Sequence, residues 1–372
     1  MPPRYVVERR APAEVEAELR RIWDANLSVA GGVERKFAWL YREAPDLPDS
    51  VFMLAAEDAG APRRWVGTAG VLIRRVHVAE GELRAGLLAD LAVDRDHRSV
   101  GPALALAREV RGWVLGQLDL AYGFPNRHAE GVFKRVGYKV LGAMPRYARV
   151  LRHAGYTQRV TEEDLARAPA AIRPHLVRAL KQPAFAALAA AAADAAMLAL
   201  GAADGLDAAT RLRLDWIDRP DERIDRLWVA AQPAFGAVAQ RTARFLDWRF
   251  PASPALSFAL GSARRGGEPR AYAVIERDGD TAHLRDLFGH PSDMPALLDL
   301  LIPALYARGA GNVSIRYLGN PALASALTAR RFAPREGERT IAVGTSERLG
   351  AEVRRKLEDV SAWHLTDADE DT

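Results

Sequence analysis

From 98 to 103 the chain reads Arg98-Ser99-Val100-Gly101-Pro102-Ala103, directly after the apolar run Leu91-Ala92-Val93 and a polar turn. One guanidinium and several closely spaced backbone N–H groups fall where a helix-spaced pattern begins. A helix N-terminus carries unpaired donors and a partial positive charge, so it binds phosphate. Glycine lets the backbone approach an anion, and Pro102 suits the first helical position, where a missing N–H costs little. These residue types at this spacing point to a diphosphate ligand.

Other phosphate loops are excluded by what surrounds this one. No Gly-Lys-Ser/Thr stands here, as a Walker loop requires, and no Gly-x-Gly-x-x-Gly follows the first strand. The chain has no cysteine, so thiolate nucleophiles, thiolate metal sites and disulfides are ruled out. His97, His128, His283 and His290 lack metal-ligand spacing, and no Gly-x-Ser-x-Gly elbow appears. No metal site is expected.

The loop needs a strand before it and a helix behind it, and the pattern supplies both. Strands are expected at 5–9, 52–57, 65–78, 83–93, 118–122 and 146–152, with helices at 13–23, 32–42, 102–116 and 129–136. Leu104, Ala107, Val110 and Val114 give the third helix its apolar spacing. This alternation implies an α/β (α+β) class with a mixed sheet flanked by helices.

Much of the pattern returns later in the chain. Phe37-Ala38-Trp39 is echoed by Phe245 and Trp248, Leu88-Ala89-Asp90-Leu91 by Leu284-Arg285-Asp286-Leu287, and Trp23 by Trp228. Tyr122 to Asn126, followed by Tyr138, is matched by Tyr317 to Asn320, followed by Phe332. Such ordered matches imply a duplicated domain. The tryptophans of the set read as core packing. The expected units are 1–155, a helical linker at 156–208, a second copy at 209–349, and a C-terminal helix with an acidic tail at 350–372. Thr161-Glu162-Glu163-Asp164 reads as a helix start. The tail from Leu365 is acidic and reads as disordered.

The 372 residues are long enough for two or three cores. Fifty-two basic residues, only five of them lysine, are interspersed with 48 acidic ones for a net charge of +4. That is no nucleic-acid footprint. The stretch 184–203 is long enough to span a bilayer, but Asp194 near its centre is costly in lipid. It reads as a surface or interdomain helix, and the N-terminus lacks the apolar core of a signal peptide. No integral membrane span and a cytoplasmic location are expected.

Arg98-x-x-Gly101-x-Ala103 after a strand ending in Leu91-Ala92-Val93 resembles the acyl-CoA loop of the GNAT acetyltransferase superfamily. The resemblance extends through Gly123-Phe124-Pro125-Asn126 and Phe133 to Gly137-Tyr138, and covers most of 5–150. It implies two tandem GNAT-like domains, each with a mixed, mostly antiparallel sheet, the second degenerate. It implies acetyl-CoA as acyl donor and transfer to an amine of a small molecule or amino sugar. The backbone of Leu91, Ala92 and Val93 would run beside pantetheine. Arg98, Ser99, Val100, Gly101, Pro102 and Ala103 would hold the diphosphate, and Asn126 and Phe133 would flank the arm.

The chain departs from the family where a tyrosine acid is usual, since that position is Phe133. Either Tyr122, His128 or Tyr138 substitutes or the thiolate leaves through water, and Asp90 and Glu82 are the candidate bases. Asp90 repeats as Asp286, which fits a structural role equally well, and Asn126 reads equally as a helix cap. The second copy lacks the loop motif, and Asp293 near its helix start would repel a diphosphate. It is expected to bind no CoA, to pack against the first copy as a pseudo-dimer within one chain, and to wall the acceptor side. A non-catalytic acyl-CoA sensor and an aminoacyl-tRNA-dependent transferase are the alternative readings.

Overall fold

The computed structural model describes all residues except 1–2, 28, 30, 49, 58–61, 158, 166–168, 338 and 371–372. The chain opens with β1 (Arg4–Arg10), α1 (Glu16–Asn26), α2 (Val33–Tyr41), β2 (Val51–Glu57), β3 (Arg64–Val78) and β4 (Gly81–Val93). There follow α3 (Val100–Gln117), β5 (Leu120–Gly123), α4 (Arg127–Arg135), β6 (Lys139–Ala143) and β7 (Arg146–Val150). Helices α5 (Ala154–Thr157), α6 (Arg173–Leu180), α7 (Pro183–Ala199) and α8 (Ala202–Arg211) form the linker. The second half contains β8 (Leu212–Ile217), α9 (Glu222–Ala231), β9 (Ala237–Ala239), α10 (Ala243–Arg249), β10 (Leu256–Ala263) and β11 (Pro269–Asp278). It continues through β12 (Thr281–Gly289), α11 (Asp293–Ala307), β13 (Asn312–Arg316), β14 (Leu318–Gly319), α12 (Pro321–Ala329) and β15 (Ala333–Arg335). It ends in β16 (Thr340–Thr345), α13 (Ala351–Leu357) and β17 (His364–Leu365).

Two large sheets carry these elements, in the orders β1-β2-β3-β4-β5-β16-β6 and β15-β7-β13-β12-β11-β10-β8, with β9 added beside β3. Each sheet has one parallel strand pair, β4–β5 and β12–β13, and is otherwise antiparallel. The mixed, mostly antiparallel expectation therefore holds for both.

The sheets exchange a strand. The expected strand at 146–152 does not complete the first sheet: β7 lies between β13 and β15 of the second. Its place beside β5 is taken by β16, from the far end of the chain. Only Met144 and Pro145 separate β6 from β7. A two-residue hairpin needs positive φ at both central residues or at the first, which suits neither Met144 nor Pro145. The chain crosses to the other sheet instead, guided by hydrogen bonds from Met144 N to the Arg339 carbonyl and from Tyr317 N to the Pro145 carbonyl.

Apolar alternation along the strands builds the cores on either side of the first sheet. Leu87, Leu120 and Tyr122 face α1 and α2, while Leu88, Ala121 and Phe133 pack with Val110 of α3. Between the halves, the rings of Trp39 and Trp248 stack 4.7 Å apart. Each indole N–H donates to the other residue's carbonyl, at 2.9 and 2.8 Å. Trp23 and Trp228 are buried in the two cores. The repeated tryptophans thus divide between core and interface.

Two local expectations are corrected. Thr161 to Asp164 closes as a turn, with the Thr161 N–H and hydroxyl both donating to Asp164, and the next helix in the described residues begins at Arg173. The acidic tail is ordered through residue 370: Asp367, Asp369 and Glu370 are buried and ion-paired with arginines. In α7, Asp194 accepts from the backbone N–H of His153 and pairs with its ring. No single helix among the described residues is long and apolar enough to cross a membrane.

Candidate functional site

The site begins with a defect in the first sheet. The β3–β4 register runs from Thr68 opposite Ala92 to Gly70 opposite Ala89, so Asp90 and Leu91 together face Ala69. This β-bulge turns Asp90 into the left-handed region, φ 53°, which aspartate tolerates better than bulkier residues. A few residues earlier the parallel pairing of β4 with β5 ends, at Leu88 opposite Gly123. Beyond that pair the strands part and a cleft of about 420 Å³ opens. Leu88, Asp90 and Leu91 line one side and Asn126, Phe133 and Tyr138 the other, with Ala107 and Val110 of α3 between them.

Helix α3 leads from this cleft to the sequence-predicted loop. Its N-terminus lies ~10 Å along the axis from Ala107. The Asp94 N–H donates to the Val66 carbonyl, and the Tyr5 hydroxyl meets His97 Nδ1 at 3.0 Å, fixing the approach to the helix. Arg98 turns back: its Nε donates to the Val93 carbonyl at 3.0 Å and its Nη2 to Asn26 Oδ1 at 2.9 Å. It therefore braces the loop against β4 and α1. Ser99 is the N-cap residue and makes no side-chain cap, so the first-turn amides of Val100 and Gly101 keep their donors. A Cβ on Gly101 would meet nothing within 4 Å, which leaves open space beside those amides. The helix starts two residues before Pro102, so proline stands third rather than first. All early N–H groups lack intrahelical partners, so that position tolerates it too.

The candidate acid–base residues separate sharply. Asp90 is buried at the cleft and pairs with Lys36 Nζ at 2.6 Å. Tyr138 is buried against Phe133, 5.1 Å between rings, and its hydroxyl has no hydrogen-bond partner. Burial pushes that phenol well above its ordinary pKa, only partly offset by the charge of Arg111. Tyr122 faces the opposite side of the sheet, against Trp363 and Phe124. Glu82 pairs with Arg75 at the far end of β4, eight residues or about 26 Å from Asp90. His128 is exposed and does not line the cleft. Asn126 caps α4, accepting from His128 N and Ala129 N at 3.0 Å each, while also lining the cleft. Ala92 and Val93 complete β4 but lie outside the cleft lining.

Three site residues escaped sequence reasoning. Lys36 is placed by α2, whose Phe37, Leu40 and Tyr41 bury the adjoining stripe. The Tyr41 hydroxyl, also without a partner, comes within 3.1 Å of where a Cβ on Gly70 would stand. Burial and then the Asp90 charge raise its pKa. Arg339, just before the exchanged strand β16, lines the first-half cleft from more than two hundred residues away. No local spacing signals that placement.

The matching region of the second half is closed. The β11–β12 register also shifts beside Asp286, and β12–β13 pairing ends at Leu284 opposite Ile315. Beyond it β14 pairs with β17 of the tail, and His364 Nε2 donates to the Leu287 carbonyl at 2.8 Å. The tail spans the gap. Asp286 accepts from Tyr272 and Thr366 hydroxyls at 2.6 Å each and from Arg241 Nε at 3.3 Å. Burial alone would raise its pKa; the Arg241 charge and those hydrogen bonds outweigh it and hold the carboxyl below its usual range. At the start of α11, Asp293 pairs with Arg270 at 2.8 Å. Matching registers also place Ser314, not Tyr317, opposite in role to Tyr122, because the second half has two extra residues before its capping Asn320. Among the described residues no group of three or more potential metal ligands is found.

Comparison with solved structures finds a similar fold elsewhere. A conserved protein of unknown function from Enterococcus faecalis V583, described as a probable N-acyltransferase, aligns at TM-score 0.61 and 10% identity over 93% of this chain and 73% of its own. A GCN5-related N-acetyltransferase from Anabaena variabilis ATCC 29413 aligns at 0.60 and 11% identity, covering 91% and 72%. Another from Kribbella flavida gives 0.52 and 12%, covering 92% and 71%. No family model and no curated protein matches the sequence. Likeness at such identities carries the fold.

Proposed function

On the premise of a GNAT fold, we propose that this chain is an acyl-CoA-dependent N-acyltransferase with one donor site, in the first half. The observation that carries the reading is the conjunction of the β4–β5 cleft with an uncapped α3 terminus open at Gly101. Acyl-CoA supplies a thioester; an amine attacking its carbonyl forms an amide as the C–S bond breaks and the thiol leaves. The first-turn amides of α3 hold the diphosphate, with Arg98 keeping the loop in place. Beyond Leu88 the inner edge of β4 lacks a strand partner, so its N–H groups are available to the thioester carbonyl oxygen, help often worth a few kcal/mol. Asp90 receives the proton lost by the amine. Tyr138 donates to the sulfur as charge develops there, in place of Phe133; burial that raises the phenol raises the proton affinity of a thiolate beside it as well.

The test is a melting curve with and without acetyl-CoA, on wild type and on Gly101→Glu. At a hundred times the dissociation constant, binding stabilises by about 2.7 kcal/mol, enough to raise the midpoint by several degrees. The substitution sets a carboxylate against the diphosphate and removes the shift. An unshifted wild type sinks the proposal, and thiol release over an amine panel separates an enzyme from a non-catalytic binder.

A further inference from the structure

A second cavity, about 620 Å³, lies between the two halves. It shares Lys36 and Arg339 with the acyl cleft, so a molecule seated in it reaches that cleft past those two side chains. Its charged lining comprises Arg35, Lys36, Arg249, Arg285, Arg316 and Arg339 against only Glu276 and Asp367. Glu43, Asp90 and Glu370 pair with Arg35, Lys36, Arg316 and Arg339 from outside this lining, so six cations stand against five acids in all, and the excess is on the side that faces the cavity.

The arginines are held in place by the tail. Arg285 Nη1 and Arg316 Nε grip the two oxygens of Asp367 at 2.8 and 2.6 Å. Arg316 Nη1 and Arg339 Nη1 grip those of Glu370 at 3.2 and 2.8 Å. Arg249 donates to the Asp367 carbonyl at 2.8 Å, its guanidinium lying over Trp39 and Phe250. A guanidinium has five N–H donors, and the ion pairs of Arg285 and Arg316 engage only part of them. Fixed forks of this kind suit carboxylate and phosphate, and fixing them beforehand lowers the cost of binding. A concave cationic wall also concentrates anions.

We infer that the acyl acceptor is an amine that also carries an anionic group, a carboxylate or a phosphate. The arginine cluster holds the anion in the inter-half cavity while the amine enters the acyl cleft between Lys36 and Arg339. This rests on the acyltransferase reading above and names its acceptor class.

The experiment is calorimetric titration of CoA-saturated protein with matched probes at low salt. Glucosamine 6-phosphate is set against glucosamine, and 4-aminobutyrate against 4-aminobutanamide. The anionic member of at least one pair binds about tenfold more tightly or better, a difference near 1.4 kcal/mol. Which pair discriminates tells phosphate from carboxylate. Arg316→Gln removes most of the preference and Arg316→Lys retains part of it. Because Arg316 also anchors the tail, Arg35→Gln, altering an exposed helix residue paired with Glu43, gives a second reading of the same loss. Equal binding within both pairs, no binding of either anionic probe, or an unchanged preference in both glutamine variants overturns the inference. Absence of acetyl-CoA binding in the same calorimeter instead overturns the acyltransferase reading.

Discussion

Asp90 and Asp286 stand at or beside register shifts of two sheets built in the same strand order, yet one faces a cleft and the other is sealed. Asp90 pairs with Lys36 and borders open space. Asp286 collects two hydroxyls and a guanidinium in full burial. The same contrast recurs at the helix termini, where Gly101 leaves the α3 amides open and Asp293 with Arg270 fills the start of α11. It recurs in the gaps between strands, empty of chain beside β5 and occupied by the tail beside β14. Wherever the first half leaves room for an anion or an arm, the second half supplies one of its own residues. Two sheets of the same strand order thus keep one backbone plan while differing in what fills the matching positions.

The largest test of this contrast is to make the same change at both aspartates. Asp286→Asn leaves one acceptor oxygen for three donors and strips Arg241 of a buried counter-charge, so urea denaturation should show a loss of about 3–5 kcal/mol. Asp90→Asn, beside a cleft that water can enter, should lose about 1 kcal/mol while lowering turnover. Equal losses at the two positions would erase the distinction between working and supporting copies.

Acid should act on the sealed half. His364 is fully buried, and burial followed by the Arg241 charge lowers its pKa to about 4. The unfolded chain therefore binds this proton from pH 6.5 downward while the native state refuses it until about 4. Stability present above pH 6.5 is lost through that window, to the extent of about 3 kcal/mol. His364→Gln should flatten this part of a stability–pH curve, and a curve of unchanged slope would refute the assignment.

The smallest effect expected is confined to the open half. Tyr138→Phe removes a hydroxyl that has no partner, so stability should hold or rise slightly, while kcat falls by about a hundredfold. Tyr122→Phe, on the other face of the sheet, should leave kcat within a few-fold. If the two substitutions reduce kcat alike, Tyr138 is not the proton donor.

Much of the fold was legible because its signals are local. The apolar runs of β2 to β4, the helical spacing of α3 and the paired Trp39 and Trp248 segments each need only a short window of sequence. Strand β6 went unread because Lys139 to Ala143 is only half-buried and barely alternates. The tail was misread for a related reason. Asp367, Asp369 and Glu370 look solvated in isolation, and only Arg241, Arg285, Arg316 and Arg339 from distant segments make their burial affordable.

By itself the sequence determined the loop at 98–103, because amides at a helix start depend on neighbours in the chain and need no distant partner. It also shows the ordered repeat of motifs and the absence of that loop motif from the second half. The tertiary structure alone decided which strand completes each sheet, that Asp90 meets Lys36, that Glu82 and Tyr122 lie away from the cleft, and that Arg339 enters it. Those outcomes depend on pairing between residues far apart in sequence, where register and burial, rather than residue type, select the partner.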